Sequence, residues 1–227
     1  MSQKINPISF RLGLSQVWDT TFVTYGHNLQ PYYFIFTKLE LENYIKRFFI
    51  SKYLLLGSSY WIIKHNKLVV IINYLNLKKS NTKVLKFNKH LSTLVTKWTN
   101  SPTKIYLLRN SIWSSSAELV ISYIRITLQK ENSLKKVIIN TSKIINTQLQ
   151  HKKTVYTIKG PLNLKLQGFK IISSGRFENS RSNMSKIIKY SGGSLPLPQL
   201  NNYVEYSYKE IYTKSGVCSL HVWMLYM

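Results

Sequence analysis

Groups able to act as acids, bases or nucleophiles are scarce in this chain and far apart. Only eight of its 227 residues are Asp or Glu, and only Glu40/Glu42 and Glu205/Glu210 come close in sequence. General acid–base catalysis needs carboxylates or imidazoles that converge on one reacting atom. On a helix and a strand respectively, these two pairs read instead as solvated or capping positions. The histidines His27, His65, His90, His151 and His221 show no metal-ligand spacing and sit in turns or beside lysine. No G-x-x-x-x-G-K-S/T or G-x-G-x-x-G phosphate cradle is present. The single cysteine, Cys218, excludes a disulfide framework and a multi-cysteine zinc site. Its setting, VCSLHVWML, alternates like a strand and suggests a packed thiol. A metal-dependent nuclease would need clustered carboxylates, which are missing. Neither an enzyme activity nor a metal or cofactor is expected.

The abundant chemistry is cationic. Thirty-two Lys and Arg face eight acids, for a formal charge of +24. The stretch between Glu42 and Glu118 holds thirteen Lys or Arg and no acid, and a second acid-free stretch separates Glu131 from Glu178. A basic tail would concentrate charge in one block. Charge spread over the whole chain repels itself unless a large polyanion neutralises it, so nucleic acid is the expected partner. A spanning helix needs ~20 apolar residues, whereas the longest aliphatic run is LVVII at 68–72. No membrane partner is expected. The N-terminus shows neither a secretory apolar region nor an Arg- and Ser-rich amphipathic helix, so no presequence is expected. Twenty-six of the cations are Lys, Ala117 is the one alanine, and Ile, Asn, Tyr and Leu abound. Such usage favours A- and T-rich codons, as an organelle genome would.

The elements that must carry these cations follow from periodicity. Residues 1–36 read as an extended, turn-rich arm. TKLELENYIKRFFISKYL is a helix capped by Thr37, with Glu40 completing a capping box and Leu39, Leu41, Tyr44, Ile45, Phe48 and Phe49 forming its apolar face. WIIKHNKLVVIINYL reads as two strands around a turn near His65-Asn66, VLKFNKHLSTLVTKW as a helix, and TKIYLL as a strand. This helix–hairpin–helix–strand order over 37–110 is the outline of a KH module, in which a GxxG turn clamps nucleic-acid backbone. The corresponding turn, LNLKKSNTK, has no glycine. Without glycine the backbone cannot approach a phosphate closely, which leaves Lys78, Lys79 and Lys83 as diffuse charge. In residues 111–227, SSSAELVISYIRITLQ and NSLKKVIINTSKIINTQL read as helices capped at Ser114 or Ser115 and at Ser133. Four strands follow: GFKIISSGR, SKIIKY, YVEYSYKEIYT and VCSLHVWML. The fold class is α+β, a degenerate KH-like N-terminal domain followed by a two-helix, four-stranded α/β domain.

Phrases at both ends of the chain carry a family resemblance. MSQKINPISFRLGL resembles M-G-Q-K-x-x-P-x-G-x-R-L-G, the start of the universal small-subunit ribosomal protein three family. Gln3, Lys4, Pro7, Arg11, Leu12 and Gly13 match, and Ser2 and Ser9 replace glycines. GFKIISSGRF is similar to G-I-K-V-x-x-S-G-R-L, GSLPLPQL to G-x-x-P-L-x-x-L, and SGVCSLHVWML to Y-G-x-x-G-x-K-V-W-I. Between them, LVISYIRITLQKENSLKKVI aligns without gaps to the family's L-V-A-x-x-I-x-x-Q-L-E-R-R-x-x-F-R-R-A-M. The resemblance implies a structural protein of the small-subunit head that contacts ribosomal RNA and neighbouring head proteins and helps line the messenger RNA entrance. It implies ribosomal RNA contacts for Lys4, Arg11, Lys78, Lys79, Lys83, Arg176, Arg181 and Lys186. The family's channel pattern R-R-x-x-K falls on Lys135 and Lys136, with Ile139 at the third position. Residues 147–160 look like an insertion. The lost glycines and the codon usage point to a mitochondrial, organelle-encoded form. The alternative is a free KH-like RNA-binding factor outside the ribosome, which co-sedimentation with the small subunit in high salt would separate.

Overall fold

The computed structural model describes residues 5–22, 31–64, 67–76, 84–131, 133–158, 160–177 and 184–227. They form two compact units, one over 19–112 and the other joining 1–18 to 113–227. Both mix helix and strand, so the fold is α+β. No helix among the described residues is long and apolar enough to cross a membrane.

The unit over 19–112 runs β1 (Thr20–Phe22), α1 (Pro31–Ser51), β2 (Leu54–Lys64), β3 (Lys67–Asn76), α2 (Val84–Thr99) and β4 (Thr103–Arg109). The expected helix–hairpin–helix–strand order is present, with the short β1 added. Its sheet has the order β1-β2-β3-β4. The β2–β3 hairpin is antiparallel, and β1 and β4 lie parallel to β2 and β3. Leu41, Ile45 and Phe49 of α1 recur every four residues and pack on Trp61, Leu68, Val70 and Ile72 of the sheet and on Leu91 and Val95 of α2.

Two local expectations are corrected here. Helix α1 starts at Pro31, six residues before Thr37. Proline is well suited to a first helical turn because its missing N–H would be unpaired there anyway. Thr37 is therefore interior, and its hydroxyl donates to Phe34 O at 3.1 Å. Leu39 lies off the apolar face and is exposed.

The other unit contains α3 (Ala117–Lys130), α4 (Leu134–Thr147), β5 (Lys152–Thr157), β6 (Gly160–Gly175), β7 (Lys186–Gly193), β8 (Tyr203–Thr213) and β9 (Gly216–Tyr226). The cap of α3 is Ser116, whose Oγ accepts from Leu119 N at 3.3 Å. Ser114 and Ser115 belong to the turn before it, and Ser114 Oγ bonds Gln148 instead. Ser133 caps α4 as expected, accepting from Lys136 N. Helices α3 and α4 bury Val120, Ile121, Ile124, Val137, Ile138 and Ile145 against Phe169, Ile171, Leu220, Val222 and Met224. Cys218 lies in the same core.

The four expected strands are joined by a fifth. Strand β5 lies within the expected insertion, 147–160, and pairs antiparallel with the start of β6, which runs on beyond it. The later part of the 16-residue β6 pairs with both β7 and β9, and β9 pairs with β8. Lys153 of β5 ties the hairpin down. Its Nζ bonds Glu205 Oε1 and Ser115 O, each at 2.5 Å. The second oxygen of Glu205 accepts from Ala117 N, the first amide of α3.

Strand β7 ends on Gly193 at φ +69°, where an added Cβ would drive into the Gln167 carbonyl. Gly193→Ala is expected to destabilise this unit by about 2–3 kcal/mol, because left-handed strain and a backbone collision act together. Chemical denaturation of the variant beside wild type checks this.

Candidate nucleic-acid interface

Phosphate is bound by cations that a fold can hold at its surface, so the position of each candidate decides what it can do. Lys4, Lys78, Lys79, Lys83 and Arg181 lie outside the described residues, as do His27 and the turn at His65-Asn66. The others divide sharply.

Arg11 is a correction. It is fully buried, and its guanidinium donates to Pro7 O at 3.0 Å, Leu197 O at 2.6 Å and Gln199 O at 2.8 Å. Burial holds its pKa below the usual arginine value. A side chain enclosed by carbonyls cannot also meet a phosphate. Arg11 instead fastens the start of the chain to the 195–199 segment, helped by Gln16 Nε2, which donates to Val204 O at 2.5 Å.

Lys135 and Lys136 are exposed in the first turn of α4. Successive helical positions diverge by about 100°, so the two ammonium groups flank one end of the helix. Ile139, one turn on, is half-buried. Lys186 is exposed at the start of β7.

Arg176 is half-buried at the end of β6 and lines a cavity of about 390 Å³ together with Arg125, Leu134, Phe177, Glu210 and Lys214. Three cations from α3, the end of β6 and the β8–β9 turn thus share one opening. Arg125 and Lys214 escaped the sequence reading. Arg125 sits on the exposed side of an amphipathic helix with no motif to single it out, and only the strand register brings Lys214 alongside.

The opposite face of the sheet holds a ring cluster that sequence also left unassigned. Tyr206 and Tyr208 of β8 lie across from Trp223 and His221 of β9. The Tyr208 and His221 ring centroids are 4.6 Å apart, and His221 stacks on Trp223 at 5.7 Å with 16° between planes. The Tyr206 hydroxyl meets His221 Nδ1 at 2.8 Å. Burial lowers the His221 pKa, which favours the neutral ring. Alternation in YVEYSY and SLHVW contained this signal, but one face becomes visible only when the strands are paired.

No family model matches the chain. Among curated proteins it is 34% identical over 228 residues, covering 100% of the chain and 94% of the relative, to small ribosomal subunit protein uS3m of Chondrus crispus. It is 24% identical over 231 residues to small ribosomal subunit protein uS3 of Kosmotoga olearia, with 99% of the chain and 94% of the relative covered. To small ribosomal subunit protein uS3c of Gracilaria tenuistipitata var. liui it is 24% identical over 229 residues, with the same coverages.

Two outcomes follow from this geometry. Arg11→Met should cost about 3 kcal/mol of stability, since three carbonyls lose a charged donor, and should leave the salt dependence of RNA binding unchanged. Denaturation and binding titrations at several salt concentrations check both halves. The lowered His221 pKa means that the unfolded chain takes up this proton at about pH 6.5 while the folded chain resists it. The contribution of His221 to stability is therefore complete above that pH and is lost as pH falls toward the folded pKa. His221→Gln should unfold with a smaller acid-side loss between pH 7 and 5.

Proposed function

The chain belongs to the uS3 family of small ribosomal subunit proteins, and from that premise we propose that it is a structural component of the small subunit of a mitochondrial ribosome, binding ribosomal RNA and flanking the messenger RNA entrance. The observation that carries the reading is similarity along the whole chain to a uS3m protein, joined to a charge of +24 that a polyanion must neutralise. A structural role also accords with carboxylates that are dispersed and, at Glu205 and Glu42, engaged in ion pairs.

The contacts divide by position. Arg176, Lys186, Arg125 and Lys214 reach ribosomal RNA from the α/β unit. Lys4, Lys78, Lys79, Lys83 and Arg181 add charge of the same kind. The unit over 19–112 is a KH-like domain whose clamp has been lost with its glycines. Neighbouring head proteins are the other partners, and an organelle genome is the proposed source of the chain.

Lys135 and Lys136 face messenger RNA. Cations in a first helical turn oppose the helix dipole at a cost of about 0.3–1 kcal/mol each. A passing RNA backbone outweighs that cost through direct attraction and counterion release. The half-burial of Ile139 fits a position that has left the channel for packing.

Co-sedimentation with mitochondrial small subunits through a high-salt cushion tests the ribosomal reading, and a chain that washes off with free RNA-binding proteins would defeat it. The double change Lys135→Glu with Lys136→Glu should leave subunit assembly largely intact while impairing translation of structured messages. Collapse of assembly, or a subunit structure with both lysines on ribosomal RNA far from the channel, would overturn the entrance assignment.

A further inference from the structure

The sheet of the α/β unit has one face packed on α3 and α4, to which Phe169, Ile171, Cys218, Leu220, Val222 and Met224 point. By alternation, the intervening residues of the same strands point the other way. Strand register then sets them in rows. One row reads Lys189–Ile172–His221–Tyr208 across β7, β6, β9 and β8, and the next reads Ser191–Lys170–Trp223–Tyr206. Near Trp223 the face is covered by Leu195 and Leu197, which the Arg11 bonds hold in place. Farther along it stays open, with Tyr208 at 45% exposure and Ile187 at 64%.

We propose that this open face is a stacking platform for unpaired ribosomal RNA nucleotides, with bases over Tyr208 and His221 and the sugar–phosphate backbone along Lys170 and Lys189. The inference rests on the RNA-binding reading given above and adds to it the surface, the unpaired state of the RNA and the way it lies.

Three observations select this occupant. His221 stacks on both Tyr206 and Trp223, Tyr206 lies tilted against Trp223, and Tyr208 leans on His221, so the rings are already ordered and lose little freedom when a base joins them. Aromatic rings accept any base, because every base has a π-face. Charge is distributed across the face in the sense that a nucleotide needs. Lys170 and Lys189 lie on the β6–β7 side, about 5–15 Å from the rings at ~4.8 Å per strand. Glu210 lies on the β8 side, where it accepts from the Tyr208 hydroxyl at 3.0 Å. A phosphate is thus drawn to one side and repelled from the other, which fixes the polarity of base against backbone. A protein neighbour could also cover exposed rings, but a patch flanked by lysines in a chain of +24 favours the polyanion.

The test uses the full chain with a single-stranded RNA of about twelve nucleotides, within the site sizes of single-strand binders, carrying 4-thiouridine. Cross-links should map to Tyr206, Tyr208 or His221. Tyr208→Ala, a change at an exposed position, should weaken binding at least about fivefold, the effect of losing one base stack, with the salt slope unchanged. Tyr208→Phe should restore affinity. Lys170→Gln with Lys189→Gln should lower the slope by about 1.4, or ~0.7 for each phosphate contact on a single strand. If wild type fails to bind the RNA at all, the RNA-binding reading falls and this inference with it. If wild type binds but Tyr208→Ala binds equally well and cross-links map elsewhere, the platform alone is wrong. A small-subunit structure with a protein covering these rings would also overturn it.

Discussion

Everything in this molecule must be reconciled with 24 uncompensated positive charges. Eight carboxylates cannot neutralise thirty-two cations, so where they sit matters more than how many there are. Glu205 shows the pattern. It receives Lys153 from the β5–β6 hairpin on one oxygen and the first amide of α3 on the other. A single half-buried carboxylate thereby joins an inserted hairpin, a helix start and the sheet. Glu42 likewise lies between Lys38 and Lys46 on α1, one turn away on each side, where such pairs support a helix. Asp19 is pushed toward protonation by burial, against the pull of Lys38. Glu205 therefore holds a joint together and Glu42 supports a helix, while the eight acids leave most of the cationic charge for an external polyanion to neutralise.

Arg11 extends the same logic to a cation. A guanidinium has five donors in a fixed fork, and here three carbonyls from two distant stretches accept from it. The family motif around Arg11 looks like an RNA-contact phrase when read as a string of charges. In the fold it is a clasp, closing the beginning of the chain over the far end. Burying this side chain also preserves the 195–199 segment that covers the Trp223 end of the sheet and leaves the Tyr208 end open.

Periodicity made the helices, the β2–β3 hairpin and the long strands legible, because each buries one face and the pattern records which. Pro31 was harder to read as a start, since proline marks both turns and first helical positions. The choice among Ser114, Ser115 and Ser116 depended on which hydroxyl faces the Leu119 amide, which composition cannot reveal. Strand β5 was hidden because KKTVYT is short and its alternation is broken by charge; only its antiparallel partner in β6 makes it a strand. For the site, sequence identified Lys135, Lys136 and Lys186 as exposed-type cations but could not distinguish them from Arg11, whose chemistry is identical and whose burial is a tertiary fact. The cluster of Arg125, Arg176 and Lys214 lay beyond reach for the same reason, drawing on residues up to 89 positions apart (Arg125 to Lys214).

The two faces of one sheet then account for how a small domain can meet several surfaces at once. One face needs α3 and α4 to cover its aliphatic residues, and that requirement fixes where α4 begins. Ser133 caps it, so Lys135 and Lys136 must emerge at its positive end, where a cation is useful only beside an anion. Among the described residues of this unit, no helix packs on the other face. Its rings are ordered by one another and by the Tyr206–His221 bond, and its lysines and Glu210 are sorted to opposite sides by strand register alone. Packing demands on the first face place the cations at the end of the helix, and pairing demands within the sheet place the rings on the second.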